Sequence, residues 1–111
     1  MQPANGLNDV RRLAKSEETC EFFKPVLDEL FRHGLDDDDL RDIIVLELGE
    51  AHCFRSKPTE KYYPETVSDY YSIWVDECGT RMFIKFLIAN LGATDERLVV
   101  TSFKRDERYD R

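Results

Sequence analysis

The sequence predicts an α+β fold in which N-terminal helices pack on one face of a C-terminal antiparallel β-sheet. In the first half of the 111-residue chain, apolar residues recur at helical spacing, whereas in the second half they alternate with polar residues. The links between the alternating segments are short, which favours antiparallel hairpins. The length suits one domain over residues 1–111, with a helical part at about 7–49 and a β part at about 52–104.

Two helices are expected in the first third of the chain. Asn8 is a suitable cap for a short first helix, because its side chain can accept a bond from a free backbone N–H group. The β-prone residues 19–23 then form a brief strand or an extended link. A second helix begins at Pro25, since proline suits the first helical position, and ends at Gly34.

The acidic run at 36–39 opens a third helix, which is expected to end at Gly49. A calcium site is the alternative interpretation of four consecutive aspartates. Calcium loops, however, need alternating ligands, a central glycine and a closing glutamate, and that spacing is absent. Capping and the positive end of the helix dipole therefore explain the run, and no metal site is predicted.

Four strands are expected after residue 52, at 53–57, 70–76, 82–88 and 98–103. In the second of them, alternation places Tyr71, Ile73 and Val75 on one face. In the third, it places Phe83 and Lys85 opposite the more apolar face. The sheet therefore has one face for the helices and one face that carries polar and cationic side chains.

The charge balance restricts the function classes. The chain has 23 acidic and 16 basic residues, a net charge of −7. All of this excess lies in residues 1–50, with 13 acids and 6 bases, whereas residues 51–111 carry 10 of each. A protein that coats nucleic acid needs a broad basic surface, so that class is excluded. A small basic site within an acidic molecule remains open.

The cysteines and the apolar segments indicate the cellular compartment in which the protein is expected. Cys20, Cys53 and Cys78 include no Cys-x-x-Cys pair, and two histidines offer no zinc-ligand spacing. We therefore expect reduced thiols that act as small hydrophobic side chains. No apolar run is long enough for a membrane span, and the N-terminus lacks the features of a secretory signal. A soluble, cytoplasmic protein is expected.

Cationic and titratable side chains are concentrated in the β half: His52, Arg55, Lys57, Arg81, Lys85, Lys104 and Arg105. Strand lysines are commonly solvated residues that discourage edge-to-edge aggregation. If several of these groups converge on one sheet face, they suit a phosphate-containing ligand instead.

A series of short motifs follows the predicted elements in order: Val10-Arg11-Arg12-Leu13, Gly34-Leu35-Asp36, Ile43-Ile44-Val45-Leu46, Phe54-Arg55-Ser56, Ser68-Asp69, Ile73-Trp74-Val75-Asp76, Met82-Phe83-Ile84-Lys85-Phe86 and Val99-Val100-Thr101-Ser102-Phe103-Lys104. This series resembles the MqsR family of type II toxins, which are mRNA interferases with a RelE-like fold. The resemblance implies a toxin of a toxin–antitoxin system that cleaves single-stranded mRNA as an endoribonuclease. It also implies a cognate antitoxin as partner, no metal, no other cofactor and no membrane.

The resemblance also implies where the chemistry lies. In the family, the ribose 2′-hydroxyl attacks the adjacent phosphate, with help from two lysines, a glutamine and a tyrosine. The corresponding positions here are Arg55 and Lys104 for the lysines, Val75 for the glutamine and Phe83 for the tyrosine. Neither valine nor phenylalanine can move a proton.

A histidine near Arg55 is the first substitute expected for proton transfer, because imidazole titrates near neutrality. The catalytic set expected is therefore Lys104, Arg55 and His52. Further substitutes lie nearby in sequence: Tyr62, Tyr63, Tyr70, Tyr71 and Glu77. Substrate contacts are expected from Lys85, Lys57 and Tyr71, whereas Trp74 and Phe103 are expected in the core.

A second hypothesis comes from another class of protein. Val75 and Phe83 both replace polar site positions with apolar side chains. The chain would then keep the toxin fold, lose the cleavage and act as a module that binds a protein partner. The acidic first half favours a basic partner in that case.

Overall fold

The computed structural model describes residues 1–92 and 95–109, and within these ranges the chain forms three α-helices and five β-strands. The helices are α1 (Leu7–Ala14), α2 (Lys24–Arg32) and α3 (Asp37–Leu46). The strands are β1 (Cys20–Phe22), β2 (Cys53–Pro58), β3 (Val67–Val75), β4 (Thr80–Asn90) and β5 (Glu96–Arg105). The predicted α+β class is confirmed, and each strand of the β half exists close to its predicted position.

The five strands form one sheet in the order β1-β5-β4-β3-β2. The four strands β2 to β5 pair antiparallel, as the short connections predict. Residues 19–23, predicted as a brief strand or an extended link, contain β1, which pairs parallel with β5 and makes the five-stranded sheet mixed. The two strands lie at opposite ends of the sequence, so no hairpin turn fixes their relative direction.

The helices cover one face of the sheet and enclose the main core with it. Helices α1 and α2 pack on β5, and α3 packs on α1. The sheet contributes alternate side chains of its central strands to this core, among them Ile73, Met82, Ile84 and Phe86, which are almost fully buried. We call the opposite face, which the helices leave uncovered, the open face.

The helix ends largely follow the predicted signals. Pro25 lies in the first turn of α2, and Gly34 follows that helix with a left-handed φ of 70°. Asp36 caps α3, where its side chain accepts a bond from the Asp39 amide and the Asp39 side chain accepts one from the Asp36 amide. The capping interpretation of the acidic run is therefore confirmed.

Two helix ends differ from the prediction. α1 begins at Leu7 with Gly6 at its cap, so Asn8 lies inside the helix. α3 ends at Leu46, and the chain then turns through Glu47 before it reaches Gly49. No helix among residues 1–92 and 95–109 is long and apolar enough to cross a membrane.

Two β-bulges change the alternation of the sheet. In β2, Cys53 pairs with Tyr71 and Arg55 pairs with Tyr70, so Phe54 is the extra residue. In β5, Ser102 pairs with Lys85 and Val100 pairs with Phe86, so Thr101 is the extra residue. A bulge shifts the side-chain alternation of the strand that carries it. Both bulges lie beside pockets of the open face.

The N-terminal segment is tied to the sheet by a buried carboxylate. Asp69 on β3 accepts bonds from the backbone amides of Ala4 and Asn5 at 2.9 and 2.8 Å. It also accepts bonds from the Asn5 side chain and from the Ser56 hydroxyl of β2. Asp69 is fully buried, and each of these bonds offsets the desolvation of its charge.

We predict that Leu40→Ala and Leu46→Ala, two changes of the same kind in α3, differ sharply in their effect on stability. Leu40 is fully buried, whereas Leu46 is 77% exposed. Leu40→Ala should lower the free energy of unfolding by about 2–5 kcal/mol. Leu46→Ala should change it by about 0.5 kcal/mol or less. Urea unfolding followed by circular dichroism measures both, and equal losses would contradict this packing.

Candidate functional site

Three aromatic rings form a cluster on the open face. Phe54 comes from the bulge of β2, Tyr70 from β3 and Phe83 from β4. The ring centroids lie 6.2 Å apart for Phe54 and Tyr70, 6.1 Å for Phe54 and Phe83, and 5.6 Å for Tyr70 and Phe83. Tyr70 makes favourable edge-to-face contacts with both phenylalanines, whereas the rings of Phe54 and Phe83 are tilted by 56°. All three line a pocket of about 260 Å³, which we call the sheet cleft.

Arg55 and Lys104 line the sheet cleft from opposite sides of this cluster. Arg55 lies on β2 and Lys104 on β5, so three strand spacings, about 14 Å on a flat sheet, separate their backbones. Both side chains nevertheless line the same pocket, and the Lys104 Nζ atom lies 5.5 Å from the Phe83 ring centroid. The exposed carboxylate of Glu107 also lines the sheet cleft. The structure therefore places Arg55, Lys104, three aromatic rings and the Glu107 carboxylate in one pocket, which Arg105, Asp106 and Arg108 also line.

The segment after β5 closes one wall of the sheet cleft. Its anchor is Asp106, which is buried, accepts a bond from the Ser72 hydroxyl and pairs with the Arg108 guanidinium at 3.0 Å. Arg108 in turn stacks on Phe54, with its guanidinium carbon 3.4 Å from the ring centroid. Arg81 donates a bond of 3.2 Å to Ser72 and extends the network along the sheet.

The charge of Asp106 is stabilised within this network. Burial opposes ionisation of its carboxyl group, but the hydrogen bonds from Arg108 and Ser72 together favour it more strongly. As a result, the pKa of Asp106 is lowered below its ordinary value near 3.8. The carboxylate is therefore ionised at neutral pH and serves as a fixed anchor for Arg108.

The residues expected at the site from sequence fall into two groups. Arg55 and Lys104 are brought together in the sheet cleft. Lys85 lies beside it on the open face, with its Nζ atom 5.7 Å from the Tyr70 ring centroid. Lys57 is exposed near the end of β2, opposite Ser68, and does not line the sheet cleft.

His52 and Tyr71 do not reach the sheet cleft. The Nδ1 atom of His52 accepts a bond of 3.0 Å from the Gly49 amide, which fixes the ring in the turn before β2. Tyr71 is fully buried on the helix-covered face, where its ring stacks on Phe86 at 5.0 Å. Burial raises the pKa of the Tyr71 hydroxyl well above its usual range. Tyr71 therefore has no surface with which to contact a ligand.

Val75 and Phe83 are the positions at which the resemblance implies a glutamine and a tyrosine. The two side chains lie in different parts of the structure. Val75 is buried among the core residues under the helices, so its side chain has no place in the sheet cleft. Phe83 lies in the sheet cleft, and there the phenol of Tyr70 stands beside it on the next strand. The expectation for Trp74 is wrong, because its side chain is half exposed on the open face and donates to Asp76, whereas Phe103 is in the core as expected.

Sequence reasoning missed Phe54, Glu107 and Arg108. The alternation of β2 alone does not place Phe54 and Arg55 on one face, because that placement depends on the bulge. The charged run of residues 104–108, which begins at the end of β5, was the available signal for the wall of the sheet cleft. Its fold depends on Asp106 and Ser72, which lie 34 residues apart in sequence.

The cysteines do not supply a reactive thiol or a metal site. Cys20 and Cys53 are buried and Cys78 is half-buried, all as free thiols. Burial raises the pKa of the Cys78 thiol to about 11 and that of Cys20 to about 12, so the thiolate form is rare at neutral pH. Among residues 1–92 and 95–109, no three His, Cys, Asp or Glu side chains come together in a way that could hold a metal ion.

Comparison of the sequence with models of known protein families and with curated proteins gives no match.

We predict that Asp106→Asn destabilises the fold by about 1–3 kcal/mol at neutral pH, because Arg108 and Ser72 lose a charged acceptor. A carboxyl group with a lowered native pKa contributes stability above its unfolded pKa and loses that contribution as the pH falls through the native value. The difference in the free energy of unfolding between the wild-type protein and the variant should therefore disappear in strong acid. Urea unfolding over a pH series measures it, with the exposed Glu107→Gln as control. A difference that persists unchanged below about pH 2 would contradict this assignment.

Proposed function

We propose that this protein is an endoribonuclease toxin that binds single-stranded mRNA in the sheet cleft and cleaves it without a metal ion. The observation that carries the proposal is that Arg55 and Lys104, which the motif series singles out from distant parts of the chain, line one pocket. The proposed activity belongs to the cytoplasm, where mRNA is available. A cognate antitoxin is the partner that would keep it inactive.

The lining of the sheet cleft suits single-stranded RNA. Aromatic rings offer stacking surfaces that every base can use, and nearby cations neutralise the phosphate backbone. The guanidinium of Arg55 can contact two phosphate oxygens at once, and the ammonium of Lys104 adds a second positive charge. The overall charge of −7 does not oppose this, because the acidic excess lies in residues 1–50 and the sheet cleft is built from residues 54–108.

The proposed reaction is a transesterification within the RNA. The ribose 2′-oxygen forms a bond to the adjacent phosphorus, the bond from phosphorus to the 5′-oxygen breaks, and the products are a cyclic phosphate and a free 5′-hydroxyl. Glu107 is the carboxylate in the sheet cleft that can accept the proton of the 2′-hydroxyl. Tyr70 is the phenol that can donate a proton to the leaving 5′-oxygen. Arg55 and Lys104 would stabilise the charge that grows on the phosphorane.

A binding module without cleavage is the second candidate function. The observation that favours it is the position of Phe83, which places an apolar ring in the sheet cleft where the family resemblance implies a tyrosine. Stable capture of one protein partner, together with intact RNA, would support this module in place of the ribonuclease.

Replacing either cation should abolish most of the cleavage. We expect Arg55→Ala and Lys104→Ala each to lower the rate by about 10²–10³-fold, because each variant loses a group that stabilises the phosphorane. Lys15→Ala removes an exposed lysine after α1, outside the sheet cleft, and is the matched control. The assay is single-turnover cleavage of a fluorescent single-stranded RNA in EDTA, with the products analysed for the cyclic phosphate. Wild-type protein that leaves the RNA intact would overturn the proposal.

Tyr70→Phe should separate chemistry from binding. The substitution keeps the ring and its packing on Phe54 and Phe83 but removes the hydroxyl. We expect cleavage to fall by about 10²–10⁴-fold while RNA affinity stays within about twofold of the wild-type value. Fluorescence anisotropy with an RNA that lacks the attacking 2′-hydroxyl measures the affinity. Full cleavage by this variant would remove Tyr70 from the mechanism.

A further inference from the structure

A second pocket of about 320 Å³ lies on the open face next to the sheet cleft. Tyr70 lines both pockets and is the partition between them. The loop of residues 59–66, between β2 and β3, forms the outer wall of this second pocket. We call the second pocket the loop pocket. Its lining combines the aromatic side chains of Phe23 and Tyr62 with hydroxyl groups and with three charged residues, Lys85, Lys61 and Glu60.

The aromatic wall of the loop pocket is available to a ligand. Tyr62 is 79% exposed and makes an edge-to-face contact with Phe23, at 6.0 Å between ring centroids. Its backbone φ is 70°, a left-handed conformation that side chains other than glycine seldom adopt. Such conformations persist only where the surrounding structure holds them, and they are concentrated at functional sites.

A chain of hydroxyl groups holds the loop in this conformation. The Thr66 hydroxyl donates to the Tyr63 carbonyl at 2.7 Å, and its oxygen lies 2.8 Å from the Thr59 hydroxyl. The Thr59 and Ser68 hydroxyls are 2.8 Å apart, which links the loop to β3. The backbone amide of Thr59 also donates to the carbonyl of Thr66. The loop is therefore closed on itself, and Tyr62 is presented on a fixed support.

The floor of the loop pocket comes from the sheet. Thr101, the extra residue of the β5 bulge, lines it opposite the loop. Lys85 lines it as well and lies two residues after Phe83 on β4, a distance of about 7 Å along the strand. Phe83 belongs to the sheet cleft, so the two pockets are about one nucleotide apart.

We propose that the loop pocket binds one nucleobase of the RNA, immediately next to the phosphate held in the sheet cleft. This inference rests on the function proposed above and identifies the part of the site that reads a base. Tyr62 supplies the stacking surface, the half-buried hydroxyls of Thr59 and Thr101 face the polar edge of the base, and Lys85 binds the phosphate on its outer side. The loop of residues 59–66 is then the element that sets sequence preference.

The test combines one protein variant with a scan of the RNA. A fluorescent oligonucleotide that lacks the attacking 2′-hydroxyl is titrated with wild-type protein and with Tyr62→Ala, and anisotropy gives the affinities. We expect Tyr62→Ala to weaken binding by about 5- to 100-fold, the usual effect of losing one base-stacking contact. The titrations are repeated with oligonucleotides that each lack one base. At one position only, removal of the base should make the two proteins bind equally well.

Two further variants control for indirect effects. Tyr62→Phe keeps the ring and should retain the affinity of the wild-type protein. Phe31→Ala removes a ring of similar exposure, 83%, from α2 and should leave the affinity unchanged. If Tyr62→Ala binds as tightly as the wild-type protein, or if its loss is the same for every missing base, the loop pocket does not bind a base.

Arg55→Ala and Lys104→Ala, run in the same assay, separate the two proposals. If they weaken binding and Tyr62→Ala does not, the sheet cleft holds the phosphate and the inference about the loop pocket is wrong. If Tyr62→Ala shows the position-specific loss and the cation variants bind normally, the loop pocket stands and the phosphate site in the sheet cleft is wrong. Absence of any binding by the wild-type protein overturns both.

Discussion

The bulge at Thr101 is the constraint on which the arrangement of the open face depends. In an uninterrupted strand, side chains alternate between faces, so Lys104 would share a face with Leu98 and Val100, which are buried under the helices. The extra residue shifts the alternation, so that Phe103 enters the core and Lys104 pairs with Phe83 on the open face. One inserted residue thus allows β5 to complete the core at one end and to supply a cation to the sheet cleft at the other.

The open face concentrates positive charge and aromatic surface within an acidic molecule. The first half of the chain, with its net charge of −7, forms the helices, and its acidic residues serve local purposes such as the cap of α3. The segment after β5 keeps one of its own carboxylates, Asp106, paired with Arg108, so that this charge is compensated where it lies. The helices and the open face therefore differ in charge. The net charge of −7 describes neither of these two surfaces.

Periodicity was enough to predict the helices, the four antiparallel strands and the helix-covered face, because these depend on spacings of two or 3.6 residues that the sequence displays directly. It could not predict the pairing of β1 with β5, since nothing local fixes the direction of strands so distant in sequence. Of the residues predicted for the candidate site, Arg55 and Lys104 line one pocket, whereas Tyr71 lies in the core and His52 in a turn. Phe54, Glu107 and Arg108 depend on a bulge and on the buried Asp106, which leave no periodic signal.

The buried carboxylate of Asp69 links the order of synthesis to the order of folding. The amides of Ala4 and Asn5 leave the ribosome before Asp69, because the acceptor that fixes them follows more than 60 residues later in the chain. During translation, the segment before α1 therefore lacks its attachment to the sheet until β3 has been made. Contacts across such a long stretch of chain slow folding, because the loop between them must close before they form. A ribosome-bound fragment that ends before β3 therefore lacks the acceptor that fixes Ala4 and Asn5.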